Sequence, residues 1–214
     1  MQSTFRSAAG RLRSELRSGL ITPVAFGAAL AEVAPRDRDS WLDLLWGSAE
    51  IPLDDPSLPR GCVPYLPCPV ASILDAIDQA QVTCNDVFVD VGSGLGRAAM
   101  LVHLKTGARC IGLEIQPALA RIAQGRADAL GLSRMQFLQG DAAELVRFTI
   151  GTVFFLYCPF GGARLQHFLD GLEVVANTRP IRVCCVDMPP LEARWLVRAP
   201  STSACVDVYR SALG

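Results

Sequence analysis

The stretch "DVFVDVGSGLGR", residues 86–97, decides the fold. A short run rich in β-branched residues that is halted by glycine reads as a buried strand. Gly92, Gly94 and Gly96 then let the backbone turn tightly and come close to a ligand. The mostly apolar "RAAMLVHLK" (97–105) reads as a helix, and its first free amides and positive dipole end would face an anion. Working downstream, "ARCIGLE" (108–114) is a second strand, and a helix over 117–130 has Pro117 near its start and Gly131 just past its end. "RMQFLQGD" (134–141) and "GTVFFLYCPF" (151–160) are a third and a fourth strand, Arg164–Leu172 is a helix, and "IRVCCVDM" (181–188) is a fifth strand. Upstream, Val70, Ile73, Leu74 and Ile77 stand at i, i+3, i+4 and i+7, one apolar helix face. Strands alternating with helices require a parallel sheet covered on both faces, because crossovers are right-handed. The ending breaks that rhythm: "RWLVRAP" (194–200) and "ACVDVYRS" (204–211) are separated by only "STS", which makes them an antiparallel hairpin. The fold class is therefore α/β, a Rossmann-like doubly wound sheet, mostly parallel, ending in a β-hairpin.

Residues 1–60 are of a different character. Arg6, Arg11, Arg13 and Arg17 stand against the single acid Glu15, with Leu12, Leu16 and Leu20 at helical spacing, so a basic amphipathic helix is expected. Mitochondrial transit peptides are also Arg-rich and acid-poor. Here the pattern runs without a break into a second helix over Pro23–Glu32, then an acidic, Pro-rich segment with a short helix at Trp41–Trp46. The chain thus divides into a helical extension or lid, 1–60, and a ligand-binding domain, 61–214.

With 214 residues, 50% of them apolar and 19% charged, the chain has ample material for one buried core. It has neither a 20-residue apolar run nor a short apolar leader, which points to a cytoplasmic protein with no membrane partner. Twenty basic residues against 21 acidic ones lack the basic excess that phosphate-backbone binding uses, which argues against nucleic acid. The eight Cys form no C-x-x-C pair and His103 and His167 stand alone, so no metal is expected, and the thiols read as reduced and buried. His103, inside an apolar helix, reads as a core residue, and His167 as a surface or capping one.

Three acids refine the reading of the glycine turn. Asp90 stands two positions before Gly92, where a carboxylate would attract an ammonium group and repel a pyrophosphate. That favours S-adenosylmethionine (SAM) over a dinucleotide. Glu114 ends the second strand, 18 residues beyond Gly96, the place from which an acid accepts both ribose hydroxyls. Asp141 ends the third strand, where it can accept from an adenine amino group. Each acid alone could equally be a turn or helix-cap residue. Together they line the carboxyl ends of neighbouring strands, where open α/β sheets bind ligands.

"DVGSGLG", "GLEIQPALA" and "FLQGD" resemble the successive cofactor motifs of class I SAM-dependent methyltransferases. "CVPYLPCPVASIL" followed by "NDVFVDVGSGLGR" is similar to a narrower group, the Dot1-like and the archaeal or mitochondrial protein-lysine methyltransferases. The resemblance covers roughly residues 61–160 and implies that Tyr65 and the Pro67–Cys68 turn lie over the methionine end of SAM, with Cys68 where the group often has Thr. The implied cofactor set is Tyr65, Asp90, Gly92, Ser93, Gly94, Gly96, Glu114, Ile115, Asp141, Ala142 and Tyr157.

The fourth strand ends in Tyr157, Cys158, Pro159 and Phe160, where many amino-group methyltransferases carry Asn or Asp before Pro-Pro-aromatic. Tyr157 and Phe160 are expected to position the reactants by walling an apolar channel, and no general base is apparent. An aromatic face favours a cation by about 0.5–2 kcal/mol. The expected activity is methyl transfer from SAM, with a protein lysine as acceptor by resemblance. The alternatives are a small carboxylic acid or other metabolite as acceptor, or a nucleotide-binding protein without catalysis.

Overall fold

A computed structural model describes residues 2–47 and 51–212; Met1, 48–50 and 213–214, which include part of the expected acidic segment and the chain end, lie outside the described residues. Seven strands form one sheet in the order β3-β2-β1-β4-β5-β7-β6. β1 (Val87–Val91), β2 (Arg109–Glu114), β3 (Met135–Gln139), β4 (Val153–Tyr157) and β5 (Arg182–Val186) are parallel. β7 (Val206–Ser211) runs antiparallel to β5 and pairs with β6 (Leu196–Arg198), the hairpin expected from its short connection. The order reverses between β1 and β4, so the loops after those strands part and leave a crevice.

Side-chain alternation sends Phe88 and Phe155 to one face and Val89, Val91, Phe154 and Leu156 to the other. On the first face lie α4 (Val70–Ala80), α5 (Arg97–Thr106) and α6 (Pro117–Ala129). Three preceding helices join them: α1 (Gln2–Arg17), α2 (Pro23–Ala31) and α3 (Arg38–Trp46), whose Leu12, Leu16, Phe26, Leu30, Trp41 and Leu45 enter the same apolar core. Thr22 caps α2 by accepting from the Ala25 amide at 3.2 Å. The opposite face is covered by α8 (Gly162–Ala176) and by α7 (Ala142–Leu145), a single turn extended by a 3-10 turn at Val146–Phe148.

The fourth helix after the glycine turn runs over Gly162–Ala176, longer at both ends than its apolar pattern. β3 stops at Gln139 rather than at Asp141, because Gly140 takes φ 153° and Asp141 turns its carboxylate back to cap α7. Half the cysteines meet the expectation of burial: Cys68, Cys110, Cys184 and Cys185 are buried, Cys62 and Cys158 half-buried, and Cys84 and Cys205 exposed. Burial pushes the Cys184 thiol up to about 12, which leaves it unreactive at neutral pH. No described helix is long and apolar enough to cross a membrane.

Candidate cofactor cleft

The turn from β1 into α5 holds Gly92, Gly94 and Gly96 at φ 74°, 53° and 79°. Two of them are needed for closeness as well as for conformation. A Cβ on Gly92 would stand 2.8 Å from Pro159 Cβ, and one on Gly94 would stand 2.4 Å from the Tyr65 ring. The turn is thus roofed by two loops, one before α4 carrying Tyr65 and one after β4 carrying Pro159. These loops are joined to each other, since the Val63 amide donates to the Pro159 carbonyl at 3.1 Å and Cys62 bridges to Phe160.

Beneath the roof lies an open cleft whose empty space, bulk solvent at its mouth included, is about 630 Å³. Of the expected residues, Tyr65, Gly92, Gly94, Glu114, Ile115, Asp141, Ala142, Tyr157 and Phe160 line it. Asp90, Ser93, Gly96 and Cys68 do not. Asp90 is buried behind the turn, on the α5 side of the sheet, and accepts the Ala99 amide at 3.1 Å. One of the free amides that the sequence offered to a ligand anion is therefore taken by the chain's own carboxylate. Burial pushes the Asp90 carboxyl up to about 7, opposed by the Ala99 hydrogen bond and assisted by the charge of Glu114. Ser93 is buried with its hydroxyl unpaired, and Cys68 is buried in the apolar core, its thiol directed at the Pro69 carbonyl at 3.8 Å.

Glu114 accepts the Gly94 amide at 2.7 Å through Oε2 and the Gln116 amide at 2.8 Å through Oε1. Its burial still raises the carboxyl above the ordinary value. Asp141 accepts the Ala143 amide at 3.0 Å and pairs with Arg164 of α8. All three acids therefore do what cap residues do, and the contrast between cap and ligand drawn from sequence does not divide them.

Several contacts that shape the cleft have no sequence signal near the residues they serve. Gln116 accepts the Asp55 amide and donates to Asp54 Oδ1, both at 2.8 Å, and the same Oδ1 accepts the Tyr65 amide at 2.9 Å. One glutamine side chain thereby ties the Tyr65 loop to the end of β2. Arg97, the residue after Gly96, donates to Asp39 at 2.7 Å and pairs with Asp43, fastening α3 to the glycine turn. Asp39 Oδ1 also accepts the Val70 amide at 3.1 Å, so it caps α4 from another helix. The Tyr65 phenol is raised by burial, with Arg97 and Arg126 opposing the shift. At the far wall, burial raises the Tyr157 phenol, and Phe160 packs its ring against Phe168 at 5.6 Å between centroids. His167 sits as read, exposed beside Glu144, whereas His103 is only half-buried rather than a core residue, with Nδ1 2.8 Å from the Ala108 carbonyl.

The cleft fits a nucleoside bearing a charged amino-acid tail. Acids stand at the ends of β2 and just past β3, with the apolar Ile115 and Ala142 beside them and a buried carboxyl behind the turn. Sheet order and cleft are those of the class I SAM-dependent methyltransferase fold. The narrower signature is Dot1-like, since residues 68–150 match the family described as histone methylation protein DOT1. No curated protein matches. Among solved structures, a putative methyltransferase, yhhF from Escherichia coli, is 15% identical with TM-score 0.55, over 75% of this chain and 89% of that one. An RNA methyltransferase from Salinibacter ruber, in complex with S-adenosyl-L-homocysteine, is 25% identical with TM-score 0.46, over 68% of this chain and 92% of that one.

Proposed function

We propose that the chain methylates a side-chain amine of the lysine class on a protein acceptor. The observation that carries this reading is the match of residues 68–150 to a histone-methylating family, over the segment that contains α4, the glycine turn and Glu114. Bound SAM supplies an electrophilic methyl on a sulfonium. The residues divide the work of holding it. Glu114 accepts the ribose hydroxyls, Asp141 the adenine amino group, and Ile115 and Ala142 pack on the base. Asp90 attracts the ammonium from behind the turn, and Tyr65 covers the amino-acid end above Gly92, Ser93, Gly94 and Gly96. Tyr157 and Phe160 position the acceptor. A cavity wall that raises the Tyr157 phenol through desolvation also penalises an ammonium, so an amine sheds its proton to solvent before passing it. In-line displacement then needs alignment and exclusion of water rather than a base. Residues 1–60 serve as a lid support, held to the site by Arg97 and Gln116.

Tritiated SAM and the purified protein, incubated with a cell lysate, should label protein, and mass spectrometry should find the label as methyl-lysine. Label confined to RNA or to small carboxylic acids would sink the proposed acceptor class.

A further inference from the structure

The sequence offers no polar residue at the end of β4 to receive an amine, but the neighbouring strand supplies one. Parallel register sets Tyr157 against Val186, so Cys158 and Asp187 leave the sheet side by side at its carboxyl edge. Both are left-handed, at φ 44° and 50°. Most side chains avoid that conformation unless the surroundings enforce it, Asp less so than Cys. Here they do: the Cys158 thiol donates to the Asp187 carbonyl at 3.0 Å, and the Asp187 amide donates to the Cys205 carbonyl at 3.0 Å. Met188, Pro189 and Pro190 follow, and the Leu191 amide donates to the Tyr209 hydroxyl at 3.1 Å, so the segment is anchored again four residues on. The backbone of Asp187 is thus fixed from both sides while its side chain is left outside. Asp187 is exposed, and among the described residues its carboxylate forms no salt bridge. Tyr157 and Cys158, which flank it, line the cofactor cavity. After burial, the Asp187 charge is a further cause of the raised Tyr157 phenol and Cys158 thiol, so its field reaches the cavity wall.

We propose that Asp187 is the residue that selects the acceptor, receiving the ammonium of a lysine side chain at the mouth of the cleft before the uncharged amine moves inward past Tyr157. The inference rests on the amine-methylation reading above. A carboxylate without a cation of its own, on a backbone fixed beside Tyr157 and Cys158 of the cleft wall, attracts alkylammonium and repels carboxylates. Recognition then takes place outside, where charge is hydrated, and chemistry inside, where it is not.

The test is Asp187→Asn, which removes the charge while Asn keeps the tolerance for left-handed backbone. Tritium transfer from SAM to poly-L-lysine is measured as initial rate against acceptor concentration, beside the thermal shift given by S-adenosylhomocysteine. The expected result is a rise of roughly tenfold in KM for poly-L-lysine, little change in kcat and an unchanged thermal shift. Asp187→Glu should recover part of the loss. Unchanged kinetics in Asp187→Asn would overturn the inference, and so would a lost thermal shift, which would move Asp187 into the cofactor machinery. If the wild-type chain labels no amine, the functional reading fails first and the inference falls with it.

Discussion

The link between Arg97 and α3 yields a prediction whose size depends on which partner is removed. The Arg97 side chain is 10% exposed, whereas Asp39 and Asp43 are 48% and 60% exposed. Arg97→Met keeps the apolar stem and deletes the charge, and both carboxylates can then be rehydrated where they stand. The loss is the net worth of two charge-assisted contacts at a half-exposed site, about 1–2 kcal/mol. Asp39→Asn with Asp43→Asn preserves acceptors for the guanidinium and for the Val70 amide but strands a positive charge that water does not reach. That costs more, about 2–4 kcal/mol. For a chain of this length 1 kcal/mol moves Tm by roughly 2–4 °C, so the expected losses are roughly 2–8 °C and 4–16 °C. The triple variant is the discriminating one. With the stranded charge gone, it should return to the stability of Arg97→Met alone, read by thermal or urea unfolding. A triple variant no more stable than the double Asn variant would refute the account of Arg97 as a buried charge held by two exposed acids.

Other outcomes follow from the same cleft. Because the folded chain keeps a proton on Asp90 up to about pH 7 that the unfolded chain releases near pH 4, stability of the ligand-free protein should fall as pH rises through that window. Asp90→Asn should flatten the fall and raise Tm at pH 8, while weakening S-adenosylhomocysteine binding measured by calorimetry; Glu114, also raised, contributes in the same direction. Tyr65→Phe should change Tm by under about 0.5 kcal/mol equivalent, since the ring against Gly94 is kept, whereas Tyr65→Ala should lower cofactor affinity severalfold in the same titration. Asp141→Ala removes the cap of α7 as well as the partner of Arg164 and should cost about 1–2 kcal/mol in urea unfolding.

What could be read in the sequence was what is local. The glycine turn, five parallel strands and terminal hairpin follow from residue type and spacing within a dozen positions, and each appears where its pattern lies. α7 escaped because four residues carry no period. The pairings that govern the cleft escaped for a different reason. Arg97 meets an acid 58 residues earlier and Asp141 a guanidinium 23 residues later, and Gln116 reaches back 62 positions to Asp54. Charge and amide groups of this kind are common on any surface, and nothing in their immediate neighbourhood marks the partner. Asp187 was in view within "IRVCCVDM", but only the register of β4 on β5 shows that it stands beside Tyr157.

In the proposed function the three acids, Asp90 in β1, Glu114 at the end of β2 and Asp141 just past β3, each serve as both cap and ligand group. A carboxylate offers about four lone-pair sites. Asp90 spends one on Ala99, Glu114 one from each oxygen on Gly94 and Gln116, and Asp141 one on Ala143 with the second oxygen facing Arg164. Each backbone bond fixes the direction of the remaining lone pairs, so a ligand donor meets an acceptor already oriented and little ordering entropy is left to lose. Asp90 differs from the others in the cost of its charge. Below about pH 7 such a carboxyl keeps its proton unless a cation stands beside it, so in the proposed role binding an ammonium there should release a proton, and affinity should rise with pH up to about 7. In that proposed role, the burial that keeps Asp90 out of the cavity wall is also what would favour a positively charged tail.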